Sequence, residues 1–233
     1  SADPNLAYNC WLREKGYSGN NPWHDWANSA AGENGELLSG WLMRHANRPA
    51  RVKEEHSETA YVTDRALDFI DEMEAEPWCL HLSYIKPHWP YIAPAPYHNL
   101  YGVKDVIPAN RSRRERTNAH PAIAAFMTHE ESQNFSRDEV RHTVIPAYMG
   151  LISQIDHHIG RVLSHLHNRG LASNTIIVFT SDHGDYLGDH WLGEKDLFHD
   201  PSAKVPLVIY DPSATADPSR GTICDELVEA IDL

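Results

Sequence analysis

The chain has 233 residues, 41% of them hydrophobic and 23% charged, which is enough for one sizeable core in one large domain. It contains no run near the roughly 18 apolar residues that a membrane-spanning helix needs. Its formal charge of −13 excludes a general nucleic-acid binder, because neutralising phosphates takes clustered Lys and Arg.

Residues 1–50 are rich in Gly, Asn, Trp and Pro and keep neither a 3.6 nor a 2 period, so they read as irregular structure with short turns. Their tryptophans suit either a core or a subunit contact. Val62, Ala66, Phe69, Ile70 and Met73 then recur at helical spacing, with Ser57 as cap and Pro77 as stop. Trp78–Ile85 follows as a largely buried strand. In Lys86–Pro96, four prolines forbid sheet or helix, which leaves an ordered loop. Residues 104–136 are polar and unassigned, and the basic cluster Arg111–Arg116 reads as a solvated loop or helix start.

A long helix is expected over Asp138–Asn168, with Ile152, Ile155, Ile159, Val162, Leu163 and Leu166 as its buried stripe. Pro146 would kink or start it, and Gly170 sits where a left-handed cap belongs. Thr175–Thr180 and Val205–Tyr210 read as strands, and a helix is sought from Asp225. This alternation points to an α/β fold, a mixed and mostly parallel sheet flanked by helices. In such sheets ligands collect beyond the carboxyl ends of strands, which directs attention to the loops after Ile85 and Thr180.

Three cysteines, Cys10, Cys79 and Cys224, are far apart and form no CxxC pair, so neither a zinc knuckle nor a disulfide framework is indicated. A reducing, cytoplasmic setting is the default. The strongest local signal is Ser181-Asp-His-Gly-Asp185 after a buried strand. Asp182 offers a hard oxygen and His183 a borderline nitrogen, which together suit divalent Mn, Zn, Fe or Ca. Gly184 would permit the sharp turn. As a bare dipeptide, Asp-His is common. Lys195, twelve residues past His183, can return to the same strand end and neutralise an oxyanion, or can be a surface lysine paired with Glu194 or Asp196.

The ordered series of this strand, Ser181–Asp185, Leu187-Gly-Asp-His190, Lys195 and Lys204–Tyr210 resembles the C-terminal half of the sulfatase catalytic domain, within the alkaline phosphatase superfamily. Lys86-Pro-His-Trp-Pro90 is similar to that family's second signature, and Tyr148–Gly160 to its long helix. Pro22–Asn28, Gly35–Trp41 and His199–Pro206 look like the phosphonate monoester hydrolase and phosphodiesterase branch.

The resemblance implies an incomplete alkaline phosphatase-like fold over residues 1–233 and hydrolysis of phosphonate monoesters, phosphodiesters or sulfate esters. It implies Asp182 and His183 as ligands of a divalent metal, Lys195 on the transferring group and leaving oxygen, and His88 as substrate contact or proton donor. All four would converge at one rim of the sheet. For Lys86, His190 and His199 structural roles are expected. The family nucleophile, a formylglycine made within Cys/Ser-x-Pro-x-Arg, fits no cysteine or serine here. The chain is therefore expected to be a fragment, inactive and weak in metal binding when isolated, whose formylglycine lies outside it. The expected partner is a small anionic ester, with no nucleic acid and no membrane. An arylsulfatase proper, a non-catalytic oligomerising module and a homo-oligomer remain open.

Overall fold

The computed structural model describes residues 6–73 and 76–233. In chain order the main elements are α1 (Ala7–Glu14), β1 (Ser29–Ala31), β2 (Leu37–Ser39), α2 (Glu58–Met73), α3 (Arg113–Thr117), α4 (Pro121–Phe126), α5 (Glu130–Phe135), α6 (Asp138–Asn168), β3 (Ile177–Thr180), α7 (Asp200–Ala203) and β4 (Leu207–Tyr210). They gather into two compact units. The first runs up to Pro108 and takes in Arg137–Val162; the second holds Ala109–Ser136 and Leu163–Leu233.

In the first unit the segment read as irregular is the core. Tyr8 and Leu12 of α1 pack with Tyr17, Trp23, Ala27, Ala30, Ala50, Val52 and Ile92. Its polar edges are satisfied: the Tyr8 hydroxyl donates to the His56 carbonyl at 2.6 Å, and the Trp23 indole donates to Glu58 Oε2 at 3.0 Å. Trp23 is buried in this core and Trp11 and Trp26 pack against it, whereas Trp41 is exposed. Helix α1 escaped the periodicity because it is short and has no side-chain cap; its stability comes from packing.

Helix α2 starts as expected, with the Ala60 N–H donating to Ser57 Oγ at 3.2 Å. Trp78–Ile85, expected as a buried strand, forms no ladder among the described residues. It is extended and alternates exposed with half-buried positions. Its inner side lies on α2, where Trp78 meets Phe69 edge-on at 6.2 Å and the Tyr84 hydroxyl is 2.9 Å from Thr63 Oγ1.

Helix α6 has the expected limits, and Pro146 neither starts nor ends it. Leu171 N–H reaches the Leu166 carbonyl and Gly170 N–H the His167 carbonyl, the paired bonds of a left-handed cap at Gly170, φ +71°. The buried stripe matches the expected one only in part: Leu166 is buried as expected, and the rest differs. Val144, Ala147, Leu151, Gln154 and His158 are buried, while Ile152 and Leu163 are exposed. Two polar residues enter the stripe because partners await them. Gln154 Nε2 donates to Ser57 Oγ at 2.9 Å, and His158 Nε2 lies 2.7 Å from Glu54 Oε1.

In the second unit β3 and β4 pair antiparallel, Ile177 opposite Tyr210 through Thr180 opposite Leu207. In the first unit β1 and β2 also pair antiparallel. The parallel ladders expected of the sheet are not formed among the described residues. Nor is β3 the buried strand anticipated: Val178 and Phe179 are 46% and 41% exposed. The helix sought from Asp225 is one 3-10 turn, Ala230–Asp232. No helix among the described residues is long and apolar enough to cross a membrane.

Candidate functional site

Strand β3 ends at Thr180, and the next residues fold on themselves through short-range hydrogen bonds. Ser181 Oγ donates to the His183 carbonyl at 2.8 Å, and the His183 N–H donates to Asp182 Oδ1 at 3.0 Å. That engages Oδ1 and leaves Oδ2 3.6 Å from His183 Nε2. His183 Nδ1 lies 2.7 Å from the Gly184 carbonyl oxygen. A carbonyl can only accept, so the proton sits on Nδ1 and the neutral ring keeps its lone pair on Nε2. Gly184 serves this turn by close approach: its N–H donates to the Ser202 carbonyl at 2.8 Å, and a Cβ would collide with the Pro201 carbonyl oxygen. Its φ is not left-handed, so the turn draws on its missing side chain rather than on its backbone freedom.

Two acceptors 3.6 Å apart, one oxygen and one nitrogen, match the span of two metal–ligand bonds of about 2.0–2.2 Å each. The pair thus fits a shared divalent ion as part of its shell. No third His, Cys, Asp or Glu joins them in metal-holding geometry among the described residues.

Lys195 belongs to the same unit, 25% exposed by side chain, with Nζ 3.4 Å from Glu194 Oε2, the pairing that the plainer reading foresaw. The backbone beside it is fixed, since the Glu194 carbonyl accepts the Tyr186 N–H at 2.8 Å. Tyr186 is buried, which pushes its phenol pKa up, and its hydroxyl is 2.9 Å from His199 Nδ1. His190 Nδ1 is 2.8 Å from Glu115 Oε1. Burial raises that carboxyl's pKa, but the Ser112 N–H and His190 outweigh it and hold Glu115 below the usual range. Both histidines therefore make the structural bonds expected of them.

His88 lies in the first unit, in a proline loop with cis peptides at Lys86-Pro87, Trp89-Pro90 and Ala95-Pro96. Its Nδ1 is 2.7 Å from the Trp89 carbonyl oxygen. The arrangement matches that at His183: the imidazole donates through Nδ1 to the next residue's carbonyl. Lys86 is buried beneath the loop, bonded through Nζ to Asn28 Oδ1 at 2.8 Å and the Pro90 carbonyl at 2.5 Å. It lines a small cavity with Asn28, Ser57, Glu58, Ile92 and Gln154. Burial lowers its pKa to about 8, opposed by Glu58.

The basic cluster is the solvated helix start expected of it, with Ser112 capping α3 and Arg113, Arg114 and Arg116 exposed, but its contact with Trp191 was not foreseen. Arg111 and Arg116 lie over the Trp191 ring, 4.4 and 4.9 Å from its centroid, and Arg111 Nη1 also donates to the Phe135 and Ser136 carbonyls. The available signal was the lone tryptophan beside Lys195, an aromatic face suited to guanidinium.

The sulfatase family model matches residues 5–233. The chain is 34% identical over 200 residues to a multifunctional alkaline phosphatase superfamily protein of Trinickia caryophylli, covering 80% of this chain and 38% of that protein. It is 29% identical over 221 residues to an arylsulfatase of Clostridium perfringens, covering 89% and 44%. Among solved structures, the phosphonate monoester hydrolase of Silicibacter pomeroyi matches with TM-score 0.77 at 30% identity, over 88% of this chain and 41% of that one. That of Agrobacterium radiobacter matches with TM-score 0.73 at 28% identity and the same coverage. The chain thus spans less than half the length of each relative. These structures bear out the alkaline phosphatase-like α/β class, in a part that is rich in helix and poor in sheet.

Proposed function

Since the chain belongs to the sulfatase family, we propose that the protein hydrolyses small anionic esters, phosphonate monoesters and phosphodiesters ahead of sulfate esters. The observation that carries this is the Asp182–His183 pair, two metal-type acceptors 3.6 Å apart at a strand end, with the imidazole tautomer set by Gly184. Phosphorus is favoured because two solved neighbours, at TM-scores 0.77 and 0.73, are phosphonate monoester hydrolases.

In this reading Asp182 Oδ2 and His183 Nε2 would hold a divalent ion, which would supply positive charge to polarise the ester oxygen. The Lys195 ammonium neutralises oxygens of the transferring group as the bond to the leaving oxygen breaks. His88, protonated on Nε2, delivers that proton to the departing alkoxide, so the product leaves as a neutral alcohol. The anchor of Nδ1 on the Trp89 carbonyl keeps the ring oriented for the transfer. A formylglycine nucleophile is part of the proposal; Cys10, Cys79 and Cys224 lie outside the pattern that makes one and receive no role.

The test is metal analysis of the intact protein, with rates on an aryl phosphonate monoester, a phosphodiester and an aryl sulfate before and after chelation. Phosphonate hydrolysis that chelation abolishes and a divalent ion restores is the expected result. Turnover indifferent to chelation refutes the metal role, and an inert, metal-free protein would favour the non-catalytic module.

A further inference from the structure

The segment between Tyr186 and Asp196 has an unusual backbone. Leu187, His190, Trp191, Glu194 and Asp196 all have left-handed φ, from 46° to 81°, and none is glycine. Such residues persist only where surrounding structure imposes the conformation. Here the surrounding structure is the stretch from Asn110 to Arg116. The Asn110 N–H donates to Asp189 Oδ1 at 2.8 Å, and its carbonyl accepts the His190 N–H at 2.9 Å. The Trp191 indole donates to the Ser112 carbonyl at 2.7 Å, and His190 is tied to Glu115. Glu115 also closes a capping box with Ser112, whose N–H reaches its Oε2 at 2.6 Å, so α3 is itself braced.

Trp191 is the centre of this brace. Two guanidiniums lie over its ring, and Arg111 is itself held by two backbone carbonyls. From Trp191 the chain reaches Lys195 through residues each held in place. Leu192 is fully buried, the Gly193 N–H donates to Ser132 Oγ at 3.2 Å, and the Glu194 carbonyl is engaged by Tyr186. A lysine on four rotatable bonds depends on where its Cα is put, because its ammonium is a point charge without a directional fork.

We propose that Trp191, stacked with Arg111 and Arg116, is a positioning residue for Lys195, setting the backbone from which its ammonium addresses the reacting ester. The basic cluster then has its role as the anchor of the lysine loop. This inference rests on the function proposed above for Lys195.

A double-mutant cycle in the intact protein tests it, read as kcat and KM on two aryl phenylphosphonates, one with a 4-nitrophenol and one with a phenol leaving group. Trp191→Leu should lower kcat about tenfold with little change in KM, below the roughly hundredfold that a misplacement of about 1 Å costs. The loss should be larger for phenol, which leaves less readily, and Trp191→Phe, which keeps an aromatic face, should recover most of it. In a Lys195→Ala background the Trp191→Leu loss should vanish. An equal loss in both backgrounds overturns the inference and leaves the function standing. A Lys195→Ala protein with undiminished activity overturns both. Should Trp191→Leu fail to fold, Arg111→Gln with Arg116→Gln keeps the indole and is judged by the same two backgrounds.

Discussion

The first unit packs a core of aromatic residues and gives many of its buried polar groups partners, Trp89 Nε1 and His98 Nδ1 excepted, whereas the second leaves its most strand-like sequence open to solvent. Asn9, Thr63, Lys86, Gln154 and His158 are all buried in the first unit, and each has a hydrogen-bond partner. In the second, Val208 and Ile209 of β4 are 59% and 57% exposed. Apolar content therefore does not say which side chains are inside; the placement of polar partners does. The residues proposed for chemistry are split between the units. Asp182, His183 and Lys195 stand on the open unit and His88 on the closed one, and stability should depend more on the closed one.

The largest expected effect tests the placement of chemistry. His183→Ala removes one of the two paired acceptors and should lower metal affinity by at least about 100-fold, with hydrolysis falling alongside. Metal content after dialysis and the rate on a phosphonate monoester report it. Because the ring is only partly buried, the thermal midpoint should hardly move. A large drop in midpoint with unchanged metal content would make the residue structural and break the comparison.

Next in size is the closed unit. Leu151 of α6 is fully buried, and Leu151→Ala should cost about 2–5 kcal/mol by denaturant unfolding, transfer and cavity contributions together. A loss under about 1 kcal/mol would mean that this core can collapse around the gap, against the packing described.

Lys86 sharpens the comparison through pH. Its pKa falls from 10.5 to about 8 in the folded protein, so the fold favours the neutral amine. The unfolded chain then binds more protons than the folded one between about pH 8 and 10.5, and stability contributed by this group rises with pH across that window and is lost as pH falls through about 8. Lys86→Met removes the titration. The difference in unfolding free energy between wild type and variant should shift in favour of wild type by about 3 kcal/mol across the window, against an added cost for stranding the Asn28 and Pro90 acceptors. A difference that stays flat with pH would show that Lys86 keeps its charge in the fold.

What the sequence allowed follows the same division. The limits of α6 were readable because Asp138 and Gly170 are local signals, and the Asp182–His183 pair because the two residues are adjacent. The buried face of α6 was not, since Gln154 and His158 are buried by Ser57 and Glu54, about a hundred positions away, and polar residues are assigned to solvent unless the partner is seen. The solvated helix start at Arg111–Arg116 was readable, but its contacts were not, for the same reason: Trp191 and His190 lie more than seventy positions on. The tautomers of His88 and His183 depend on a turn's carbonyl direction, which residue type does not encode.

The smallest expected effect decides how open the second unit is. Val208 pairs with Phe179 across the β3–β4 ladder and is 59% exposed, so little of its side chain leaves water on folding. Val208→Thr keeps the β-branched shape and strand preference while exchanging a methyl for a hydroxyl that solvent can satisfy. The change in unfolding free energy should stay within about 0.5 kcal/mol. A burial-sized loss of about 2 kcal/mol in the intact protein would mean that this face packs against other structure there, because only a desolvated hydroxyl without a partner costs that much. The same substitution at a position buried in the first unit, Val144→Thr, supplies the reference on a fully enclosed site. If both lose alike, the contrast between the units is a property of exposure in this chain alone, and the strands after all obey the apolar pattern from which they were recognised.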